Sequence, residues 1–247
     1  MAKEQTMSYI KNSFLNSKTV SLKAAESGQS FNIHRDLLAA KSKTIISAFE
    51  RGFVEGTKGI YTFQDTSDET LARFIEWAYT GDYPAIINPT SDHGRKTLKS
   101  EPDQPNHETD VTSENHPLLS HIHLYIFCSV YLIPDLQNLA FDRIRANFTE
   151  LGKPDSPNTQ LDVIAALRIS FCKVLAPDPL LDWLAKYTAY TVDKLRVQSD
   201  FHDLLQESSS LTLRMVSLLN PARSAPWDNK PPKHDYQGPK TIGISDW

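Results

Sequence analysis

Phe31-Asn32-Ile33-His34-Arg35-Asp36-Leu37-Leu38-Ala39-Ala40-Lys41-Ser42 changes its period halfway along. Phe31 and Ile33 alternate with Asn32 and His34, the two-residue repeat of a half-buried strand. From Leu37 the alternation stops. Ile45, Ile46 and Phe49 follow at spacings that suit one or two short helices, with the Ser42 hydroxyl as a cap between them. A strand therefore runs directly into helix. Upstream, Val20, Leu22 and Ala24 alternate within Thr19 to Ala24, and Glu26-Ser27-Gly28-Gln29 is turn-like, which predicts a hairpin closing on Phe31 and Ile33.

Downstream, Gly52 to Gly59 reads as a loop and Ile60-Tyr61-Thr62-Phe63 as a short strand. In that strand Ile60 and Thr62 face one way, Tyr61 and Phe63 the other. Thr66 and Glu69 have capping-box spacing. After them Leu71, Phe74, Ile75, Ala78 and Tyr79 form an apolar helical stripe that Gly81 ends, with Pro84 beyond.

Residues 88–117 are polar and hold Pro89, Pro102, Pro105 and Pro117, with only Leu98 and Val111 strongly apolar. Such a stretch buries too little surface to offset the entropy of ordering, so a disordered insertion is expected. Helical periodicity then resumes. Leu118, Ile122, Ile126 and Val130 share a row flanked by Tyr125 and Leu132. Pro134 opens a helix that buries Leu136, Leu139, Ala140, Ile144 and Phe148. A third helix is expected from about Thr159, carrying Leu161, Ile164, Ala165 and Phe171. A fourth follows Asp178-Pro179 with Leu180, Leu184 and Tyr187, and a last one spans Leu211 to Leu219. This half reads as an all-helical bundle. Residues 221–247 hold Pro221, Pro226, Pro231, Pro232 and Pro239 and read as an extended tail.

Twenty-six Lys and Arg against thirty Asp and Glu leave a net charge of −4, so no bulk attraction for nucleic acid is expected. The first twenty residues lack the apolar core of a secretory leader. The longest apolar stretch, around Ile122 to Ile133, is too short and polar to span a membrane. Cys128 and Cys172 lie in apolar, helix-like stretches and read as buried free thiols. Together these place the chain in nucleus or cytoplasm as an expectation.

The chemistry of a reactive site is hard to find. Glycine-rich phosphate loops, a nucleophile elbow and paired cysteine motifs do not occur. His121 and His123 lie two apart on a helix and so point to different sides, and with His116 they read as ordinary histidines rather than metal ligands. Asp65, Asp68 and Glu69 read as helix-start acids, and Arg143 and Arg145 as a solvated face. No catalytic residue, cofactor or metal is expected.

Four stretches carry a resemblance to the BTB/POZ family, most to the short BTB proteins of filamentous fungi. Phe31 to Ser42 resembles F-x-V-H-[KR]-x-L-L-x-x-x-S. Gly52-Phe53-Val54-Glu55 resembles G-[FML]-x-E. Phe74 to Tyr83 resembles the F-x-x-[LW]-[LVI]-Y-[TS]-G-x-[LY] helix and turn. Leu124 to Leu136 is similar to the later helix pair. The resemblance implies an α+β fold, a small mixed sheet flanked by helices, over residues 19–148 with the insertion inside it. Residues 1–18 would precede it, an all-helical extension 149–220 would follow, and the Pro-rich tail 221–247 would end the chain. Phe31, His34, Arg35, Leu38, Tyr79 and Gly81 are its motif residues.

In function the resemblance implies a non-enzymatic interaction protein that forms homodimers and recruits protein partners. Many family members are adaptors for a cullin scaffold of ubiquitin ligases, and Phe53, Val54 and Glu55 match the apolar-x-acid loop that contacts it. A nuclear, transcription-regulatory protein acting through partners without its own DNA-binding domain is the alternative. Against a co-repressor pocket of the familiar kind, Arg35 is present but Asn16-Ser17-Lys18-Thr19 offers no acid to face it.

Overall fold

In the computed structural model, residues 14, 16–25, 27–50, 54–87 and 116–219 are described. Strand β1 (Thr19–Ala24) pairs antiparallel with β2 (Ser30–His34), with Val20 opposite Ile33 and Leu22 opposite Phe31. Three short helices follow, α1 (Arg35–Lys41), α2 (Lys43–Glu50) and α3 (Val54–Lys58). They carry the chain across to β3 (Ile60–Phe63), which lies parallel to β1 with Ala24 opposite Phe63. A parallel pair cannot be joined by a tight turn, so the three helices serve as the crossover. The order is β2-β1-β3, a mixed sheet whose inward row is Val20, Leu22, Ala24, Ile33 and Phe63.

Ser42 divides α1 from α2 as its spacing suggests. Its backbone N–H closes α1 on the Leu38 carbonyl, and its hydroxyl accepts the Ile45 N–H at 3.2 Å. The same hydroxyl donates to the Tyr131 carbonyl at 3.3 Å, tying this junction to a helix 89 residues away. The Gly52 to Gly59 stretch is not all loop, because Val54–Lys58 forms a helical turn. A Cβ on Gly56 would stand 2.7 Å from the Phe49 carbonyl oxygen, so α3 is seated directly on α2. That tertiary contact overrides the poor helix propensity of one glycine and two β-branched residues.

Helix α4 (Asp68–Thr80) starts one residue later than the Thr66–Glu69 pair predicts. Ser67 is its cap and accepts the Thr70 N–H at 3.2 Å. Leu71, Phe74, Trp77 and Ala78 are buried, Ile75 and Tyr79 half-buried. Gly81 stops the helix at φ +84°, a left-handed conformation glycine adopts without strain, and its N–H reaches the Trp77 carbonyl.

Helices α5 (Pro117–Tyr131), α6 (Pro134–Leu151), α7 (Pro157–Lys173) and α8 (Pro179–Leu195) each begin with proline at the first turn, where its missing N–H costs nothing. Two short helices, α9 (Ser199–Glu207) and α10 (Ser209–Leu218), finish the described chain. His116 and Pro117 belong to α5 as cap and first residue, not to the polar insertion. The remainder of the insertion, residues 88–115, lies outside the described residues, as does the tail from 220.

Two apolar clusters result. The first joins the sheet, α1, α2 and α4 to Leu124, Phe127, Cys128, Ile133 and Leu136. The second joins Leu119, Ile122, Tyr125, Ala140, Ile144 and Phe148 to α7 through α10. Helices α5 and α6 thus supply both. This corrects the single row expected on α5: Leu118 and Ile126 are only half-buried, while Val130 and Leu132 point to solvent. A helix sandwiched between two cores is apolar nearly all round, so one stripe cannot be selected from its pattern. On α7 the buried set is Gln160, Val163, Ile164, Ala166, Leu167 and Ser170, so of the four residues expected only Ile164 is fully inside. Cys172, expected buried, is exposed near the end of that helix, whereas Cys128 is fully buried. Among the described residues no helix is long and apolar enough to cross a membrane.

Candidate functional site

The motif residues divide into those that build the scaffold and those it presents outward. Leu38 is fully buried and Phe31 packs half-buried against the first core. His34 ends β2 and meets Tyr79 from α4: the Tyr79 hydroxyl accepts the His34 backbone N–H at 3.2 Å and lies 2.7 Å from Nδ1. The one hydroxyl thus engages both the backbone and the ring of His34. The Phe14 ring closes the cluster at 5.7 Å from His34 and 6.1 Å from Tyr79. Arg35 donates its backbone N–H to the Lys18 carbonyl at 2.8 Å and is half-buried. His34, Tyr79 and Gly81 are thereby structural, joining the sheet to α4.

The apolar-x-acid loop is presented differently. Phe53 lies outside the described residues. Val54, first residue of α3, is 62% exposed, and Glu55 beside it is half-buried with its carbonyl accepting the Gly59 N–H. Glycine at 59 turns the chain into β3, an edge strand of the described sheet, whose first residue Ile60 is also exposed. Val54 and Ile60 are therefore exposed at the corner made by α2, α3 and β3, with Glu55 half-buried beside Val54.

A second constellation was not legible as a site. Arg143, read as solvated, instead spans the two halves of the molecule. Its guanidinium carbon sits 4.1 Å over the Tyr83 ring, and its nitrogens bond the Tyr83 carbonyl and the Asp82 carboxylate. The Tyr83 hydroxyl lies 3.0 Å from His121 Nδ1. Burial pushes the Tyr83 phenol well above its ordinary range, with Arg143 opposing. Burial, reinforced by Arg143 and Arg73, lowers His121 to about 4. At neutral pH a protonated phenol thus shares a hydrogen bond with a neutral imidazole. Arg73, fully buried on α4, holds the next two carbonyls, Pro84 at 3.3 Å and Ala85 at 2.9 Å. The only sequence signal for Arg143 was its place one residue before Ile144 and four after Leu139, at the margin of the buried face.

His116 has local partners. His116 Nδ1 accepts the Leu118 N–H at 3.3 Å as a helix cap, and its Nε2 is 3.6 Å from Asp162. Among the described residues no group of three His, Cys, Asp or Glu could hold a metal ion.

A groove of about 390 Å³ runs between the β3–α4 connection, α5 and α7. Ile126, Phe127, Tyr131 and Ile169 give it apolar surface, and Asp65, Ser67, Thr70, His123 and Lys173 polar surface. The Ser67 and Thr70 hydroxyls bond each other and the Ser67 oxygen caps α4. Burial raises the Tyr131 phenol, with Tyr61 adding to it, so it stays protonated at neutral pH.

A scan against protein-family models finds no match, and a search of curated proteins finds none.

Proposed function

We propose that this chain is a BTB/POZ-type protein-interaction module, non-enzymatic, that self-associates and recruits partner proteins through the corner that carries Phe53, Val54 and Glu55. The observation that supports it best is the contrast within one set of motif residues. Leu38 is buried and His34 and Tyr79, both half-buried, bond each other, while Val54 stands 62% exposed next to Glu55. An exposed apolar anchor beside a charge has the makings of an interface hot spot. The cullin scaffold of a ubiquitin ligase is the partner to which the loop pattern points.

The test has two arms. Affinity capture with mass spectrometry compares the full chain with a Phe53→Ala plus Glu55→Ala variant, and the reading requires a cullin-type scaffold to be lost from the variant. Sedimentation equilibrium of the purified chain should return twice the chain mass. An unchanged partner set would remove the loop from the account, and a monomer at micromolar concentration would remove the self-association.

A further inference from the structure

The outer face of α10 is unlike a solvated helix. Leu213 is 72% exposed and Val216, one turn on, 57%, and Leu218 and Leu219 are also open. The helix buries Leu211 and Met215 against the bundle on its other side. Its only charge, Arg214, is drawn sideways into an ion pair with Asp182 of α8. The outward surface is therefore uncharged, with Leu213, Val216, Leu218 and Leu219 exposed beside Ser209 and Ser217, where a solvated face carries Lys, Glu or Arg.

We propose that this face is the seat of the chain's own C-terminal segment, residues 220–247. The chain leaves the face at Leu219 and continues for a further 28 residues, with Trp227, Tyr236, Ile242, Ile244 and Trp247 among five prolines. Its large apolar groups favour an existing apolar surface over water. Trp227 is eight residues beyond Leu219, a reach of up to about 26 Å when extended. Helix α10 is about 15 Å long, so Trp227 can travel back along its whole length. Tethering favours this occupant over a second copy, because a segment joined at the edge of the face has an effective concentration on the order of millimolar. The inference is independent of the BTB/POZ reading.

Limited trypsin digestion of the full chain tests it, following cleavage after Arg223 and Lys233. Seating predicts that both cuts are at least about tenfold slower in the parent than in a Leu213→Glu plus Val216→Glu variant, since cleavage tracks the open fraction. Trp227→Ala, which leaves the bundle untouched, should accelerate them as well. Equal rates in the parent and both variants overturn the proposal. So does a dimer by sedimentation that the Leu213→Glu plus Val216→Glu variant splits without any change in cleavage, because a second copy would then occupy the face.

Discussion

The hydroxyl of Tyr79 and the backbone N–H of His34 are 3.2 Å apart although 45 residues separate them in the chain, and the same hydroxyl lies 2.7 Å from the His34 ring. One side chain on α4 thereby completes the hydrogen bonding of the last residue of β2. Tyr79→Phe keeps the ring and removes only this oxygen. It leaves a part-buried N–H unpaired, so we expect a loss of about 1–3 kcal/mol in urea unfolding. A double-mutant cycle with His34→Ala should show a coupling of at least about 0.5 kcal/mol. Strict additivity would mean that the pair contributes nothing as a pair.

Arg143 is expected to matter more than its place on a helix surface suggests. Arg143→Lys retains the charge but loses the planar fork that engages Tyr83 and Asp82 together. Both Arg143→Lys and Arg143→Ala should lose about 1–3 kcal/mol in thermal or urea unfolding. Rescue by lysine to the parent value would reduce the contact to charge alone.

His121 makes stability depend on pH in a defined direction. Its folded value of about 4 lies below the ordinary value of 6.5, so between these limits the unfolded chain binds a proton that the folded chain does not. Stability from this group is fully present above pH 6.5 and declines as pH falls toward 4, by up to on the order of 3 kcal/mol. His121→Gln, which cannot take that proton, should flatten the difference between profiles recorded over that window. Parallel profiles for parent and variant would contradict the assignment.

Leu132 caps α5 at φ +53° with its side chain 71% exposed. A left-handed conformation costs a residue with a Cβ about 1–2 kcal/mol, whereas glycine bears none of it. Glycine's greater freedom in the unfolded chain returns part of the difference. Leu132→Gly should therefore be neutral to stabilising by about 1 kcal/mol in the melting curve. A clear destabilisation would show that this leucine packs.

How much of this was legible from the residues depends on how local the cause was. The β1–β2 hairpin, the Ser42 junction, the Gly81 stop and the Asp178-Pro179 start are each decided by a few neighbouring side chains, and each is where the pattern placed it. Helix α9 was missed because Phe201 and Leu204 are its only buried residues, too few to make a stripe. The two-sided burial of α5 needed knowledge of what lies on either side of it. The Arg143, Tyr83 and His121 contacts join positions 38 and 60 residues apart, and neither periodicity nor spacing encodes such a meeting. The outward corner was readable as a motif, yet the helical turn beneath Val54 exists only because Gly56 permits contact with Phe49.

The most direct measurement is a calorimetric titration of the purified full chain with a purified cullin-type ubiquitin-ligase scaffold, repeated with Phe53→Ala plus Glu55→Ala. The account predicts saturable binding by the parent and at least about a tenfold weaker Kd for the variant, the loss of about 1.4 kcal/mol or more that hot-spot residues carry. Binding that is absent in the parent, or equal in both, would contradict it.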